Sequence, residues 1–240
     1  MSRYLMFVFV SFFVIGPTRA GTPVHVEQKC PIGGETFIIV KSPSCSYFGQ
    51  SMSFRRVSTC DYITRLPVCP GNDLPIFREF STEEVGKLSE FVETEEFGRL
   101  RQLDPWQRAY KVEEYLGQTG SSSGFLLLLQ ALWYENESFL ADEQFLDLFA
   151  AEAEAEIDRV ENAEKPFVAA ILAYAFAAAE NRQQADAWFE RAKSLNEQVG
   201  NDASSSDFLR SYLTKLSTCR NNMTSAECSP DAPFEPEQKN

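Results

Sequence analysis

Histidine is nearly absent from this sequence, whose 240 residues contain only His25. A Ser-His-Asp or Cys-His catalytic site needs a histidine as its base, and a lone histidine near the start of the chain argues against both. The sequence also lacks G-x-S-x-G, H-E-x-x-H and a Gly-rich loop that could cradle phosphate. These absences favour a non-enzymatic protein that needs no cofactor.

Cations are scarce relative to acids, with 22 Lys and Arg against 35 Asp and Glu. A surface of this charge repels the phosphates of nucleic acids and the headgroups of anionic lipids. We therefore expect no nucleic-acid partner, and the acidity itself mainly indicates solubility.

Long apolar runs are also missing, apart from one at the start of the chain. Residues 1–20, MSRYLMFVFVSFFVIGPTRA, place Arg3 before an apolar run and the small residues Thr18 and Ala20 after it. The run is shorter than the roughly 20 residues that cross a bilayer as a helix, so the pattern predicts a signal peptide, with an uncleaved anchor as the alternative. The mature chain would begin near Gly21, in the periplasm or outside the cell, without an integral membrane segment.

Six cysteines remain after removal of the signal peptide. An even number in an exported chain is most simply explained by three disulfides, because the oxidising compartment disfavours free thiols. Six cysteines allow 15 pairings, and the sequence alone leaves the choice among them open. The six are Cys30, Cys45, Cys60, Cys69, Cys219 and Cys228.

Composition divides the mature chain into three parts. Residues 21–80 contain four of the six cysteines and β-prone runs such as TFIIV (36–40), with turn residues across 41–51. They predict a small β domain whose core is too thin to be stable without crosslinks. Residues 81–220 show helical periodicity, and the composition of 221–240, rich in Pro and charge, predicts a mostly disordered tail.

Seven helices are expected between residues 81 and 220. Ser81 and Glu84 form a capping box, and Asp104 followed by Pro105 marks the start of a second helix. No strand is expected between the helices, so the sequence predicts a mainly α protein with a small β part at the N-terminus. The five further helical segments are 121–135, 141–160, 165–180, 182–199 and 204–220.

The helical region contains a repeat. Sliding 123–156 onto 165–198 aligns large and small residues, and the second unit matches the tetratricopeptide (TPR) pattern of paired helices. Small residues let paired helices approach, and aromatic residues fill the space between pairs. We therefore predict a TPR-like array of helical hairpins, with an unrelated bundle as the alternative. The matching positions are Leu172, Ala173, Phe176, Ala185, Phe189 and Ala192.

Two turns, CPIGG at 30–34 and CPGN at 69–72, look like zinc knuckles that each lack their second cysteine. With YFG (47–49) and FREFSTEEVGKL (77–88), they make residues 28–95 resemble the bacterial proteins grouped as domain of unknown function family 2225. The resemblance implies a C-P-x-C-G ribbon followed by TPR-like helices. In cytoplasmic members of the family, four cysteines would bind zinc.

Gly33 and Asn72 stand where the second cysteine of each knuckle would be. Structural zinc needs four Cys or His ligands, so the resemblance does not carry a metal over to this chain. Two knuckle thiols that lose their metal in an oxidising compartment are close enough to form a disulfide. The resemblance thereby implies a disulfide between the knuckle cysteines, after which the cysteines at either end of the intervening hairpin and the two near the C-terminus would pair with each other. Zinc bound by the first four cysteines is the alternative. The implied pairs are Cys30–Cys69, Cys45–Cys60 and Cys219–Cys228.

Aromatic residues provide the candidate binding site. In a TPR array the first helix of each pair lines the concave groove, and Tyr174 falls on that side of the repeat alignment. Trp133 and Tyr134 are further candidates, and core packing is the alternative role for all three. The sequence thus predicts an exported interaction or scaffold protein whose partner is another envelope or secreted protein.

Paired carboxylates provide the alternative function, a hydrolase directed at carbohydrate or the cell wall. Glu83-Glu84 and Glu113-Glu114 are such pairs, although adjacent acids on a helix are typical of a solvated face. We interpret AEAEAE (151–156) as helix-forming sequence rather than a metal cage.

Overall fold

Two small antiparallel sheets and nine α-helices make up residues 23–60, 65–199 and 204–235, which are the residues that the computed structural model describes. The signal peptide expected at 1–20 lies outside them. The strands are β1 (Val24–Lys29), β2 (Thr36–Lys41), β3 (Tyr47–Ser51), β4 (Arg56–Ser58) and β5 (Pro233–Phe234). The helices are α1 (Thr82–Phe91), α2 (Glu95–Leu100), α3 (Pro105–Tyr115), α4 (Ser122–Tyr134), α5 (Asn136–Leu140), α6 (Glu143–Arg159), α7 (Lys165–Ala178), α8 (Arg182–Val199) and α9 (Ser204–Cys219).

The two sheets differ in how far apart their strands lie in the sequence. β1 and β2 form a hairpin in which Val26 lies opposite Ile39. The second sheet has the order β4-β3-β5, so its central strand comes from the N-terminal region and one edge from the C-terminal segment. The sequence predicts β2 correctly, but the prediction of a turn across 41–51 is wrong for Tyr47–Ser51. Part of the pairing that makes this segment a strand comes from β5, which local sequence does not reveal.

The remaining elements are helices, which confirms the mainly α class with a small β part. α7 is the central helix, because every residue from Val168 to Ala177 is buried, as expected for a helix that is apolar on all sides. The chain reverses through 179–181 into α8, with Glu180 in the left-handed region at φ +60°. Among the residues described, no helix is both long and apolar enough to cross a membrane.

The hairpin of α7 and α8 packs as the repeat pattern predicts, since all six matching positions are buried. The preceding unit, formed by α4 and α6, is interrupted by the short helix α5. This insertion explains why the first unit matches the repeat less well. α2 and α5 are the two helices that the sequence prediction misses, because one or two turns carry too little periodicity to be recognised.

Across the predicted boundary at residue 80, the β region shares its apolar core with the helices. Cys69, close to the first sheet, shares an apolar core with Phe91 of α1. Phe54, just after β3, belongs to the core of the later helices, and its ring centroid lies 4.2 Å from that of Tyr212 in α9. Each small sheet is therefore stabilised by helices as well as by disulfides.

The segment after α9 is ordered as far as Glu235, so the prediction of a disordered tail is wrong for 221–235. A disulfide joins Cys219 to Cys228, and β5 then pairs with β3. Phe234 is buried, although its neighbours are Pro and acidic residues. Composition suggests disorder here because it does not show that the Phe234 side chain packs against residues from distant parts of the chain. Residues 236–240 lie outside the described residues.

Candidate functional site

The cysteines are joined in the three predicted pairs. Cys30 and Cys69 connect two turns of matching form. The N–H of Cys30 donates to the carbonyl of Glu35, and the N–H of Cys69 donates to that of Leu74, each at 2.9 Å. Gly33 has φ +87°, a conformation that favours glycine. The disulfide thus ties the hairpin of β1 and β2 to the segment that leads into α1.

Asn72 occupies one of the two positions that a knuckle cysteine would take. Its Nδ2 donates to the carbonyl of Ile32 in the opposite turn at 3.2 Å, and its Oδ1 accepts from the N–H of Leu74 at 3.0 Å. One side chain therefore hydrogen-bonds across the two turns and within its own turn. In this chain the turns are held together by hydrogen bonds and a disulfide.

The zinc of the family's cytoplasmic members, which is the alternative to disulfides, does not fit the residues present. The sulfurs of Cys30 and Cys69 lie within 4.8 Å of a Glu35 carboxylate oxygen, but the two sulfurs are bonded to each other. Glu35 is also engaged, because it accepts from the N–H of Gly71 at 3.1 Å. The other two cysteines of the alternative zinc set are joined in a disulfide of their own. A structural zinc ion needs four free Cys or His ligands, which these residues do not offer.

The three aromatic residues predicted as a binding site serve packing inside the chain. Tyr174 is 0% exposed and its hydroxyl donates to the carbonyl of Cys228 at 2.9 Å, so the prediction that it anchors a peptide is wrong. Trp133 donates through Nε1 to the carbonyl of Ser53 at 2.8 Å. Tyr134 is half-buried and stacks on a neighbouring aromatic ring. The concave-groove prediction fails because α7 is surrounded by other elements.

Glu152 and Glu156 of the AEAEAE segment are buried, a role that the sequence does not reveal. Both oxygens of Glu152 accept from the N–H of Gly120 at 3.0 Å, and one accepts from the hydroxyl of Tyr110 at 3.2 Å. Glu156 accepts from the hydroxyl of Ser122 at 3.0 Å. Gly120 and Ser122 lie at the N-terminal end of α4, where unpaired N–H groups favour negative charge, and Tyr110 lies in α3. The two carboxylates therefore fasten α6 to the start of α4.

In each predicted carboxylate pair, one glutamate is exposed to solvent and the other contacts Arg78. Glu83 and Glu114 are exposed, as the sequence predicts for a solvated face. Glu113 is only 3% exposed, so that prediction is wrong for it. Arg78 donates to Glu84 at 2.8 Å and to Glu113 at 2.9 Å. One guanidinium thus pairs with both carboxylates, which offsets part of the cost of burying Glu113.

Glu135 caps a helix other than its own. Burial raises its pKa to about 7, although the N–H groups of Trp106 and Gln107 donate to its two oxygens at 2.7 and 3.2 Å and lower the pKa. Asp104 precedes α3 as predicted, but its side chain makes no capping hydrogen bond. The carboxylate at the end of α4 caps α3 instead. Because both oxygens are engaged, Glu135 has the geometry of a cap rather than of a catalytic acid.

This cap predicts a specific pH dependence of stability. A raised pKa in the folded state means that the folded chain binds the proton more tightly than the unfolded chain. The free energy of unfolding should therefore fall as pH rises from about 4.5 to about 7. We expect a loss of about 1–2 kcal/mol, reduced from the full value because solvent screens this partly exposed group. Urea unfolding at several pH values measures it.

Glu135→Gln supplies the control, because the variant cannot titrate and should lose this decline between pH 4.5 and 7. Glu84 titrates in a different window. Hydrogen bonds from Arg78 lower the pKa of Glu84 to about 2, so its stabilisation is lost only as pH falls below the ordinary range of a glutamate. An unchanged pH profile in Glu135→Gln would contradict the prediction.

Tyr47 and Phe48 of β3 are the most exposed large apolar side chains of the residues described, at 61% and 66%. Successive side chains of a regular strand point to opposite faces. The pairing of β3 with β4 is irregular between Tyr47 and Gly49, so this alternation is interrupted and both rings reach solvent. β5 pairs only with Gln50 and Ser51 of β3. The backbone of 47–49 therefore has no strand partner on that side within the described chain.

A groove of about 900 Å³ lies beside this edge. Phe208 of α9 and Phe234 of β5 contribute apolar surface, and Arg56 and Glu235 contribute one charge of each sign. The guanidinium of Arg56 lies 5.6 Å from the centre of the Tyr47 ring. An incompletely paired strand next to an apolar groove is the arrangement that binds an extended peptide by strand addition. We refer to 47–49 and this groove as the β3 edge.

Comparison of the chain with protein-family models, curated proteins and solved structures gives no match. The functional interpretation of the β3 edge therefore rests on its own geometry.

Tyr47 and Phe48 are not among the binding residues predicted from the sequence, because they lie in a segment rich in turn residues. A usable signal is present, since two consecutive aromatic residues on one strand cannot both face the same core. The groove itself has no local signal. Phe208 and Phe234 reach it from elements more than 150 residues further along the chain.

Proposed function

We propose that this protein is exported and non-enzymatic, and that it binds another envelope or secreted protein through the β3 edge. The exposure of Tyr47 and Phe48 beside a groove carries the proposal. Neighbouring exposed aromatic residues are enriched in binding surfaces, where they contribute large contact area at low entropic cost. Leaving two such residues in water on a monomer is otherwise unfavourable.

Export is supported by the signal-peptide pattern of residues 1–20 together with three disulfides and the lack of any free cysteine in the described residues. Such crosslinks persist in oxidising compartments. Periplasmic or secreted location is therefore part of the proposal. We also propose a distant relationship to family 2225, for which the matching turns at Cys30 and Cys69 are the support.

The carboxylates give less support to a hydrolase. Glu84 and Glu113 share the guanidinium of Arg78, and Glu135 uses both oxygens as a helix cap. A glycosidase needs two carboxyl groups that flank the substrate in one cleft. These residues are engaged with partners inside the chain.

The proposal predicts a specific covalent capture at the β3 edge. A photoreactive benzoylphenylalanine in place of Tyr47 should crosslink the purified oxidised protein to one partner in the envelope or secreted fraction. The same group in place of Tyr115, which is 43% exposed on α3, is the matched control and should not. Adducts are detected by blotting and identified by mass spectrometry.

A second variant tests whether crosslinking from position 47 depends on the neighbouring aromatic residue. Phe48→Ser should lower the adduct yield from position 47 about tenfold, as expected for loss of an aromatic contact residue. Its thermal unfolding should match that of the parent, since Phe48 is 66% exposed. Equal adduct yields from positions 47 and 115 would show that the β3 edge is not the binding surface. A yield from position 47 that Phe48→Ser leaves unchanged would show the same.

A further inference from the structure

The C-terminal segment shows what kind of ligand the β3 edge accepts. β5 lies antiparallel to β3, with Phe234 opposite Gln50 and Pro233 opposite Ser51. The N–H of Met52 donates to the carbonyl of Ala232 at 2.8 Å. An extended segment of this chain is therefore already bound along two of the five residues of β3.

An aromatic side chain anchors that segment. Phe234 is 7% exposed and lies between two rings, with centroids 5.2 Å from Phe208 and 5.3 Å from Tyr212, both in edge-on geometry. Tyr212 is itself fixed, because its hydroxyl donates to the carbonyl of Met52 at 2.6 Å. The space that Phe234 fills is thus bounded by two aromatic rings, one of which is held in place by its own hydrogen bond.

Acidic residues flank Phe234, and arginine side chains lie near them. Arg55 pairs with Asp231 at 2.9 Å, three residues before Phe234. Glu235 directly follows Phe234 and lines the groove together with Arg56. The edge therefore presents cations to a segment that has acidic residues before and after its aromatic residue.

The bound segment leaves part of the edge unused. β3 has five residues, and β5 pairs with two of them, so within the described part of the chain 47–49 have no strand partner on that side. A longer strand in the same register would pair with all five and would also contact the rings of Tyr47 and Phe48. Such a strand gains backbone hydrogen bonds that the chain's own short strand does not make.

We propose that the β3 edge binds, in exchange for β5, an antiparallel extended segment of a partner protein that carries an aromatic residue flanked by acidic residues. This inference rests on the proposed function and specifies the partner's chemistry. The Cys219–Cys228 disulfide keeps the displaced segment attached near its start, so β5 acts as an internal competitor for the edge.

The test uses a labelled peptide as the partner segment. Its sequence, SPDAPFETV, copies 229–235 and adds Thr-Val, which would lie opposite Phe48 and Tyr47 in the β3–β5 register. Fluorescence anisotropy measures its binding to the full oxidised chain. Phe234→Ser weakens the internal strand, so this variant should bind the peptide at least tenfold more tightly than the unaltered chain. Phe234→Leu, a milder change, should give an intermediate gain.

Altered peptides measure how much each part of the β3 edge contributes to binding. Replacing the peptide's Phe with Ala should weaken binding at least tenfold, because the seat between Phe208 and Tyr212 stays empty. Omitting Thr-Val should weaken binding to the parent chain, and should weaken it less in Tyr47→Ser, where the contact with the Tyr47 ring is already lost but the backbone pairing remains. Equal binding by the Phe234 variants and the parent would overturn the exchange, as would no saturable binding to variants that still unfold cooperatively.

Two further outcomes are distinguishable. Dimers of the Phe234→Leu chain in size-exclusion chromatography with light scattering, together with no peptide binding, would assign the edge to a second copy and overturn the proposal. Peptide binding without any crosslinked partner at position 47 would leave strand exchange intact and reject the proposed cellular function. A crosslinked partner without peptide binding would reject strand exchange alone.

Discussion

Gly124→Ala should lower the free energy of unfolding by about 2–4 kcal/mol, although replacing glycine with alanine inside a helix normally stabilises it by about 1 kcal/mol. Gly124 lies in the first turn of α4, directly beside the buried carboxylate of Glu152. A Cβ at this position would lie 2.7 Å from Cδ of Glu152 and 2.7 Å from one of its oxygens. The methyl group would push the carboxylate away from Gly120 and Tyr110, which depend on it for hydrogen bonds. Urea unfolding measures the change.

Gly86→Ala is the matched control, because Gly86 lies in α1 and a Cβ there meets nothing within 4 Å. This variant should be more stable than the parent by about 0.5–1 kcal/mol. A double-mutant cycle tests the cause directly. In a Glu152→Ala background, the cost of Gly124→Ala should disappear, since the group that it displaces is gone. Additive effects of the two substitutions would contradict this account of the buried carboxylate.

The second large effect concerns the disulfide between the two knuckle-like turns. Replacing Cys30 and Cys69 together with alanine should lower the free energy of unfolding by about 4 kcal/mol, the value that chain entropy gives for a crosslink of this span. The two cysteines are separated by 39 residues and are 2% and 0% exposed. The loss should therefore also loosen the core that they share with α1. Chemical denaturation under non-reducing conditions provides the measurement.

Replacing Cys45 and Cys60 together is the matched comparison. Their separation is 15 residues, for which the same estimate is about 3 kcal/mol. Replacing Cys30 and Cys69 should therefore cost more stability than replacing Cys45 and Cys60. A Cys30–Cys69 variant as stable as the parent would show that the hydrogen bonds of Asn72 and the surrounding core suffice to hold the turns.

Much of the fold could be predicted because its signals are local. The capping box of Ser81 and Glu84 is present as predicted, with the N–H of Ser81 donating to Glu84 at 2.7 Å and the N–H of Glu84 donating to Ser81 at 3.2 Å. The apolar sequence of α7 likewise gives a helix that is buried on all sides. Such features depend on residues within one or two turns of one another, which a single sequence displays directly.

The candidate site could not be predicted in the same way. Tyrosine is a residue type that is common in binding sites, but α7 is enclosed by other elements. The hydroxyl of Tyr174 therefore donates to the C-terminal segment of the same chain. Phe234 lies among Pro and acidic residues typical of disorder, yet β3, Phe208 and Tyr212 bury it. In both cases the environment of the side chain comes from an element far away in sequence.

The sequence alone determined the helical class, most helix positions and the turn residues at the two knuckle-like sites, because periodicity, caps and glycine conformations act over a few neighbours. Tertiary structure decided which charges are buried and which aromatic residues remain exposed. Glu152 can be buried only because Gly120 and Tyr110 donate to it from other segments. Tyr47 stays exposed because β5 covers only part of β3. Burial and exposure depend on partners from distant segments, and those partners meet only when the chain has folded.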